Sequence, residues 1–225
     1  FVGDRLAMQV EKSAEALAVY AACMQSGVIF LPLNPAYKTA EVEYFISDSG
    51  AKMLIASDVH NLQAVAKKYN VTLHSMAPDG SGSFSLLSSN ACDVYSTEPR
   101  NGDDLAAFLY TSGTTGKSKG AMLTQNNLLS NAQTLVNAWR FTESDVLLHA
   151  LPIFHTHGLF VATNIILLAR ASMIFLPKFD VDSVFAVLPK ATSMMGVPTF
   201  YSRLLDDQRL TADSTHHIRL FVSGS

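Results

Sequence analysis

Residues 111–120 read Thr-Ser-Gly-Thr-Thr-Gly-Lys-Ser-Lys-Gly: three glycines, five hydroxyl residues, two lysines and nothing else. A stretch without an apolar side chain cannot join a core, yet its parts suit one task together. Glycines let backbone N–H groups come close to an anion, hydroxyls donate further hydrogen bonds, and lysines add mobile positive charge, which describes a cradle for a polyphosphate. Two other chemistries compete for the same residues. A phosphate loop of the nucleotide-hydrolase type needs four residues between its glycines ahead of Gly-Lys-Ser, and only Thr114 and Thr115 separate Gly113 from Gly116. Gly116-Lys-Ser-Lys-Gly120 does match a serine-hydrolase nucleophile elbow, and an Asp followed by His216 or His217 comes later in the required order, which makes Ser118 a candidate nucleophile. That elbow passes directly from strand into helix, however, and here Ala121-Met122-Leu123 forms a short apolar run before Thr124 caps the next helix.

A second concentration of chemistry lies at His155-Thr156-His157-Gly158. The two histidines, at spacing i, i+2, would point the same way on a strand and could begin a metal site, with His149 the nearest third ligand. Because Gly158 follows at once and an apolar helix begins there, the segment reads better as a pocket wall at a helix N-terminus, with structural histidines the plain alternative. Arg203 lies five residues after Pro198. It either presents a guanidinium fork to a carboxylate or pairs with Asp207 one helical turn on.

These residues need rigid elements around them. Short apolar runs alternate with helical spacing, the pattern of strands and crossover helices in a parallel α/β sheet. Strands are expected over 6–10, 28–33, 52–56, 71–76, 105–110, 146–151, 172–176, 193–197 and 218–222. Ser13 can cap a helix carrying Leu17, Tyr20, Ala21 and Met24, which Gly27 ends, and Thr39 can cap a second helix that buries Val42, Phe45 and Ile46. Further helices are expected over 62–69, 128–139, 159–169 and 180–190, with another that has Pro198 in its first turn. Residues 78–90, rich in Gly and Ser, read as a surface loop, and a subdomain boundary is expected within 77–100.

The composition excludes several classes. In 225 residues, 48% are hydrophobic and 16% charged, the balance of buried sheets and not of disorder. Sixteen basic against nineteen acidic residues give a net charge of −3, without the electrostatic footprint of a nucleic-acid binder. Cys23 and Cys92 have no paired spacing for zinc or a redox dithiol, which fits a reducing compartment. The longest apolar stretch, 159–176, contains Arg170, so no membrane span is expected. No secretory signal follows Phe1, and the default expectation is cytoplasmic. The chain stops at Val222-Ser223-Gly224-Ser225, where a strand would turn into a loop, and is expected to be a piece of a longer protein.

Tyr110 through Gly120, followed by Leu151-Pro-Ile-Phe-His-Thr-His-Gly-Leu159, resembles the adenylate-forming acyl-CoA synthetase superfamily. Within it, the run from His155 through Leu176-Pro-Lys-Phe179 to Gly196-Val-Pro-Thr-Phe-Tyr-Ser-Arg203 is similar to the malonate:CoA ligases. The resemblance implies an α/β fold of stacked, mostly parallel sheets with helices packed on their faces. The chain would be part of a larger N-terminal domain, with the C-terminal domain absent. It further implies a two-step ligase: a carboxylate attacks the α-phosphorus of ATP to form an acyl-adenylate, and the thiol of coenzyme A then displaces AMP. Small molecules, namely ATP, a carboxylic acid and coenzyme A, are the implied partners, with Mg²⁺ accompanying the phosphates.

Carried onto this sequence, the resemblance gives ATP binding to Thr111, Ser112, Gly113, Thr114, Thr115, Gly116, Lys117 and Lys119. It gives lining of the acyl and adenylate pocket to His155, Thr156, His157 and Gly158, with His155 the catalytic candidate. Arg203 would hold a second substrate carboxylate, and Ser223, Gly224 and Ser225 would begin the loop that continues the pocket. Three later family motifs are missing: Tyr-Gly-x-Thr-Glu, Tyr-x-x-Gly-Asp and the C-terminal lysine. Gln125 stands where relatives often place His. The 225 residues alone are therefore expected to be inactive.

Overall fold

The first apolar run becomes β1 (Arg5–Gln9), and the alternation expected from the sequence follows: α1 (Ala14–Ser26), β2 (Ile29–Pro32), α2 (Thr39–Ser49), β3 (Met53–Ala56), α3 (Gln63–Tyr69) and β4 (Thr72–Ser75). After α4 (Ser83–Ser88) come β5 (Leu105–Thr111) and β6 (Lys119–Thr124). This computed structural model describes residues 1–92, 94–111 and 118–224. Contacts divide the chain into two units, Phe1–Asn127 and Leu128–Ser225.

In the first unit the sheet order is β4-β3-β1-β2-β5-β6, parallel throughout except for the antiparallel pair β5 and β6. The helix signals act as their chemistry dictates. Ser13 Oγ accepts the Ala16 N–H at 3.1 Å, and Gly27 closes α1 with φ 68°, in the left-handed region. Thr39 opens α2 without capping it: the Glu41 carboxylate takes the Lys38 N–H at 2.9 Å, while the Thr39 hydroxyl donates to Asn61 O. Val42, Phe45 and Ile46 of α2 are buried with Leu31, Leu33 and Leu54 of the sheet. The Gly/Ser-rich segment is less irregular than expected, since Ser83 Oγ accepts the Ser75 N–H at 2.9 Å and starts α4, which buries no residue. Residues 77–100, expected to hold a boundary, lie inside this unit because β5 pairs beside β2, Phe30 against Ala107.

The second unit begins within α5 (Gln125–Trp139), whose cap is reciprocal: Thr124 Oγ1 accepts from Asn127 N–H at 3.2 Å, and Thr124 N–H donates to Asn127 Oδ1 at 2.9 Å. Then come β7 (Val146–His149), a π-helical turn (His157–Thr163) running into α6 (Asn164–Ala169), and β8 (Ser172–Phe175). The rest is α7 (Val181–Val187), β9 (Ser193–Gly196), α8 (Pro198–Leu205), α9 (Ala212–Thr215) and β10 (Leu220–Ser223). Its four strands are all parallel, in the order β10-β9-β7-β8. Side chains alternate across the sheet. Leu148 and Met194 pack with Val184, Leu188 and Leu204, whereas Leu147 and Met195 pack with Ile165, Ile166 and Phe141.

One ion pair fastens this unit. Arg219 Nε and Nη2 donate to the two carboxylate oxygens of Asp145 at 2.7 and 2.8 Å, and Nη1 donates to Trp139 O at 2.8 Å. The guanidinium lies 4.8 Å from the centre of the Phe141 ring, and Asp145 also accepts from Thr142 N–H and Thr192 Oγ1. The end of α5, the entry to β7 and the entry to β10 thus meet at one carboxylate. Among the described residues no helix is long and apolar enough to cross a membrane.

Candidate functional site

The glycine, hydroxyl and lysine stretch is spanned by a β-hairpin. β5 and β6 remain in register up to their tip, where Thr111 faces Lys119, both exposed. Ser112, Gly113, Thr114, Thr115, Gly116 and Lys117 lie outside the described residues, so what the structure gives is the base on which they stand. That base is braced by α2. Tyr110 donates its hydroxyl to Asp48 Oδ2 at 2.6 Å and packs on Phe45 with ring centres 4.5 Å apart, and Tyr44 donates to Ser118 O at 2.8 Å. Burial and the neighbouring Asp48 both push the Tyr110 phenol well above its ordinary pKa, so it stays protonated and keeps donating.

The same hairpin removes the nucleophile elbow. Ser118 directly precedes β6, and the six residues Lys119–Thr124 of that strand intervene before α5 begins. No direct strand-to-helix turn exists to present its hydroxyl. The late histidines are otherwise engaged: His216 Nδ1 sits 2.6 Å from Asp213 O, and His217 Nε2 2.9 Å from Leu188 O.

His155, Thr156, His157 and Gly158 line a cavity of about 500 Å³ in the second unit. Its other walls are Leu151 and Pro152 after β7, Val161 of the π turn, Val197 after β9, Val222 and Gly224 at the end of β10, and Leu135 and Trp139 of α5. Three parallel strands therefore deliver their C-terminal ends to one opening, which is where open α/β sheets bind ligands. The lining is apolar apart from the two histidines and Thr156. His157 Nδ1 donates to Gly224 O at 3.2 Å, joining two motifs 67 positions apart in sequence.

Partial burial lowers the pKa of both His155 and His157, the Gly224 carbonyl partly offsetting this for His157, which favours the neutral form of each ring. His155 is exposed, and its ring lies against Phe154, centres 4.5 Å apart. Ser223 ends β10 and is exposed, and Ser225 lies outside the described residues.

Gly158 fits where no other residue can, because a Cβ there would collide with the carbonyl oxygen of Pro152. The Gly158 carbonyl accepts from His149 Nε2 at 2.8 Å and from Thr163 Oγ1 at 3.0 Å. His149 is thus turned to a carbonyl and not to a metal. Among the described residues no group of three or more His, Cys, Asp or Glu side chains could hold a metal ion.

Arg203, on α8, is exposed, with its guanidinium 5.0 Å from the centre of the Phe179 ring, and it is not among the described residues lining the cavity. The ion pair envisaged with Asp207 goes elsewhere: Asp207 binds Arg209 at 2.7 Å and also accepts its N–H. Leu135, Trp139 and Val161 stand in no short motif, whereas Val197 belongs to the run Gly196–Arg203 and Val222 directly precedes Ser223-Gly224. For the first three the only sequence signal is membership of an apolar helix face.

Comparisons with known proteins agree with this arrangement. The profile of the family described as AMP-binding enzyme matches residues 2–225. A malonate–CoA ligase of Arabidopsis thaliana is 32% identical over 247 residues, covering 99% of this chain and 41% of that protein. An oxalate–CoA ligase of the same plant is 32% identical over 215 residues, covering 91% and 42%. ATP-bound MatB from Rhodopseudomonas palustris superposes with a TM-score of 0.97 at 54% identity, covering 100% of this chain and 45% of that one. The chain spans less than half the length of each of these relatives.

Proposed function

The chain belongs to the family of AMP-binding enzymes, and on that premise we propose that it is the nucleotide- and acid-binding part of an ATP-dependent acid–CoA ligase. In the first step a carboxylate oxygen attacks the α-phosphorus of ATP and pyrophosphate leaves. In the second the thiol of coenzyme A attacks the acyl carbonyl and AMP leaves. Both partners of the first step are anions, so the protein must screen repulsion and align them, which needs donors and positioning more than a protein nucleophile. Residues 111–117 and Lys119 grip the triphosphate, and the cavity beneath His155 receives the acid. In the neutral form each histidine ring brings one N–H donor and one acceptor, and His157 spends its donor on Gly224 O.

The observation that carries this reading is the meeting of His155–Gly158, Val197 and Gly224 around one apolar cavity at the C-terminal ends of β7, β9 and β10. The test uses the complete protein. Pyrophosphate should be released only when ATP and a carboxylic acid are both present, and release without acid, or ATP cleavage to phosphate, would overturn it.

For the acid we propose malonate, supported by the malonate-named relative, and we propose that Arg203, exposed on α8 and outside the described cavity lining, meets its second carboxylate. The apolar lining of the cavity favours a second reading, a short or medium acid without that carboxylate. Arg203→Met decides between them. Loss of a charge-assisted contact should reduce kcat/KM for malonate roughly 10- to 100-fold while acetate is unaffected. Equal behaviour of the two acids would remove malonate.

A further inference from the structure

We infer that His149 is a positioning residue for the acid cavity, acting through the carbonyl of Gly158. The inference rests on the ligase reading for its kinetics and on the geometry alone for its structure. His149 ends β7, is wholly buried, and lies with its ring centre 5.1 Å from that of Phe175. Its Nε2 is 2.8 Å from Gly158 O. A carbonyl only accepts, so Nε2 carries the ring proton and the neighbours select that tautomer.

The bond matters because of what lies between its ends. From Ala150 to His157 the chain leaves the sheet, presents His155 and Thr156 to solvent, and returns as a π-helical turn. Such turns interrupt the regular helical ladder and are found often at functional sites. Here the interruption begins at Gly158, whose carbonyl draws two buried side-chain donors, His149 Nε2 and Thr163 Oγ1, the latter from a residue 1% exposed. One donor comes from the sheet and one from within the turn, so the pair fastens the turn to the end of β7. His155, His157 and Gly158 all line the cavity, so their placement depends on this fastening.

The test compares His149→Gln, which returns an amide N–H at about the reach of Nε2, with His149→Met, which fills the space without a donor. In the complete protein, His149→Met should raise KM for the acid roughly tenfold, the size of one lost buried hydrogen bond to a carbonyl left with Thr163 Oγ1 as its side-chain donor, with KM for ATP unchanged. His149→Gln should return the acid KM to within about threefold of the wild type. A fall in kcat with both KM values unchanged would mean lost folded protein and would overturn the inference. So would a Gln variant no better than Met, or a Met variant equal to the wild type.

Should the wild-type protein release no pyrophosphate with any acid, the ligase reading fails on its own, and nitrogen-15 NMR of the ring still judges His149. A slowly exchanging proton on Nε2, with amide protection at residues 157–163 lost in the Met variant and regained in the Gln variant, supports the fastening. A proton on Nδ1 alone removes it.

Discussion

Asp145→Ala is expected to cost about 3 kcal/mol of stability, a fall in melting temperature of roughly 10 °C for a chain of this size. The carboxylate is 4% exposed and is the common acceptor for Arg219, Thr142 N–H and Thr192 Oγ1. Removing it orphans three donors together and leaves a guanidinium facing Phe141 without its counter-charge. The cost stops near the lower end for a buried pair because the Arg219 side chain is 36% exposed and partly rehydrates.

The same group predicts an acid limb. Burial by itself would raise the Asp145 pKa, but the bonds from Arg219, Thr142 and Thr192 outweigh it and hold the value at about 2, against an ordinary 3.8. A depressed carboxyl contributes stability that is whole above its unfolded value and is lost as pH falls through the folded one. Between these two values the protein should lose about 2 kcal/mol from this residue, and Asp145→Asn should flatten that part of the curve. Thermal melts followed by circular dichroism across that window check both statements; a variant melting with the wild type at every pH would refute them.

Gly158→Ala is expected to have the largest effect on the cavity. The added Cβ has nowhere to go, since the obstacle is backbone, the Pro152 carbonyl, and not the flexible end of a side chain. The turn from Leu151 to the π helix must open, which moves His157 away from Gly224 O and breaks the two hydrogen bonds from His149 and Thr163 to the Gly158 carbonyl. Two or three buried hydrogen bonds at about 1 kcal/mol each imply a loss of roughly 2–3 kcal/mol, which, felt in full at the cavity, lowers acid-dependent pyrophosphate release roughly 30- to 150-fold. Gly224→Ala is the control for stability, because a Cβ there meets only His157 Cε1 at 3.9 Å, an ordinary contact, and the fold should tolerate it.

Local signals in the sequence translated well into structure. Ser13, Gly27 and Thr124 each act within three or four residues, and each sits where its chemistry places it. What escaped depends on partners outside the element itself. β6 is short and mixed in character, and only pairing with β5 makes it a strand, antiparallel in an otherwise parallel sheet. The π turn was legible only as an apolar helix, because its distinguishing feature is the Gly158 carbonyl and the side chain that meets it from nine residues earlier.

The cavity motif was readable from His155 to Gly158, yet Trp139 and Leu135 were indistinguishable from ordinary core residues of α5. His149 was legible as a possible metal ligand and proves to be a hydrogen-bond donor, a distinction that geometry makes and residue type does not. Asp207 likewise had two arginines within reach in sequence, and the nearer one, Arg209, also offers it a backbone N–H.

The β5–β6 hairpin has one more consequence. Because Thr111 and Lys119 are neighbours on one ladder, the number of residues between them is uncoupled from the pairing below. Lengthening or shortening a strand by one residue would turn every side chain to the opposite face, whereas the same change at the tip alters only the circumference of the loop, at little entropic cost. The number of residues between Thr111 and Lys119 can therefore change without altering the β5–β6 pairing.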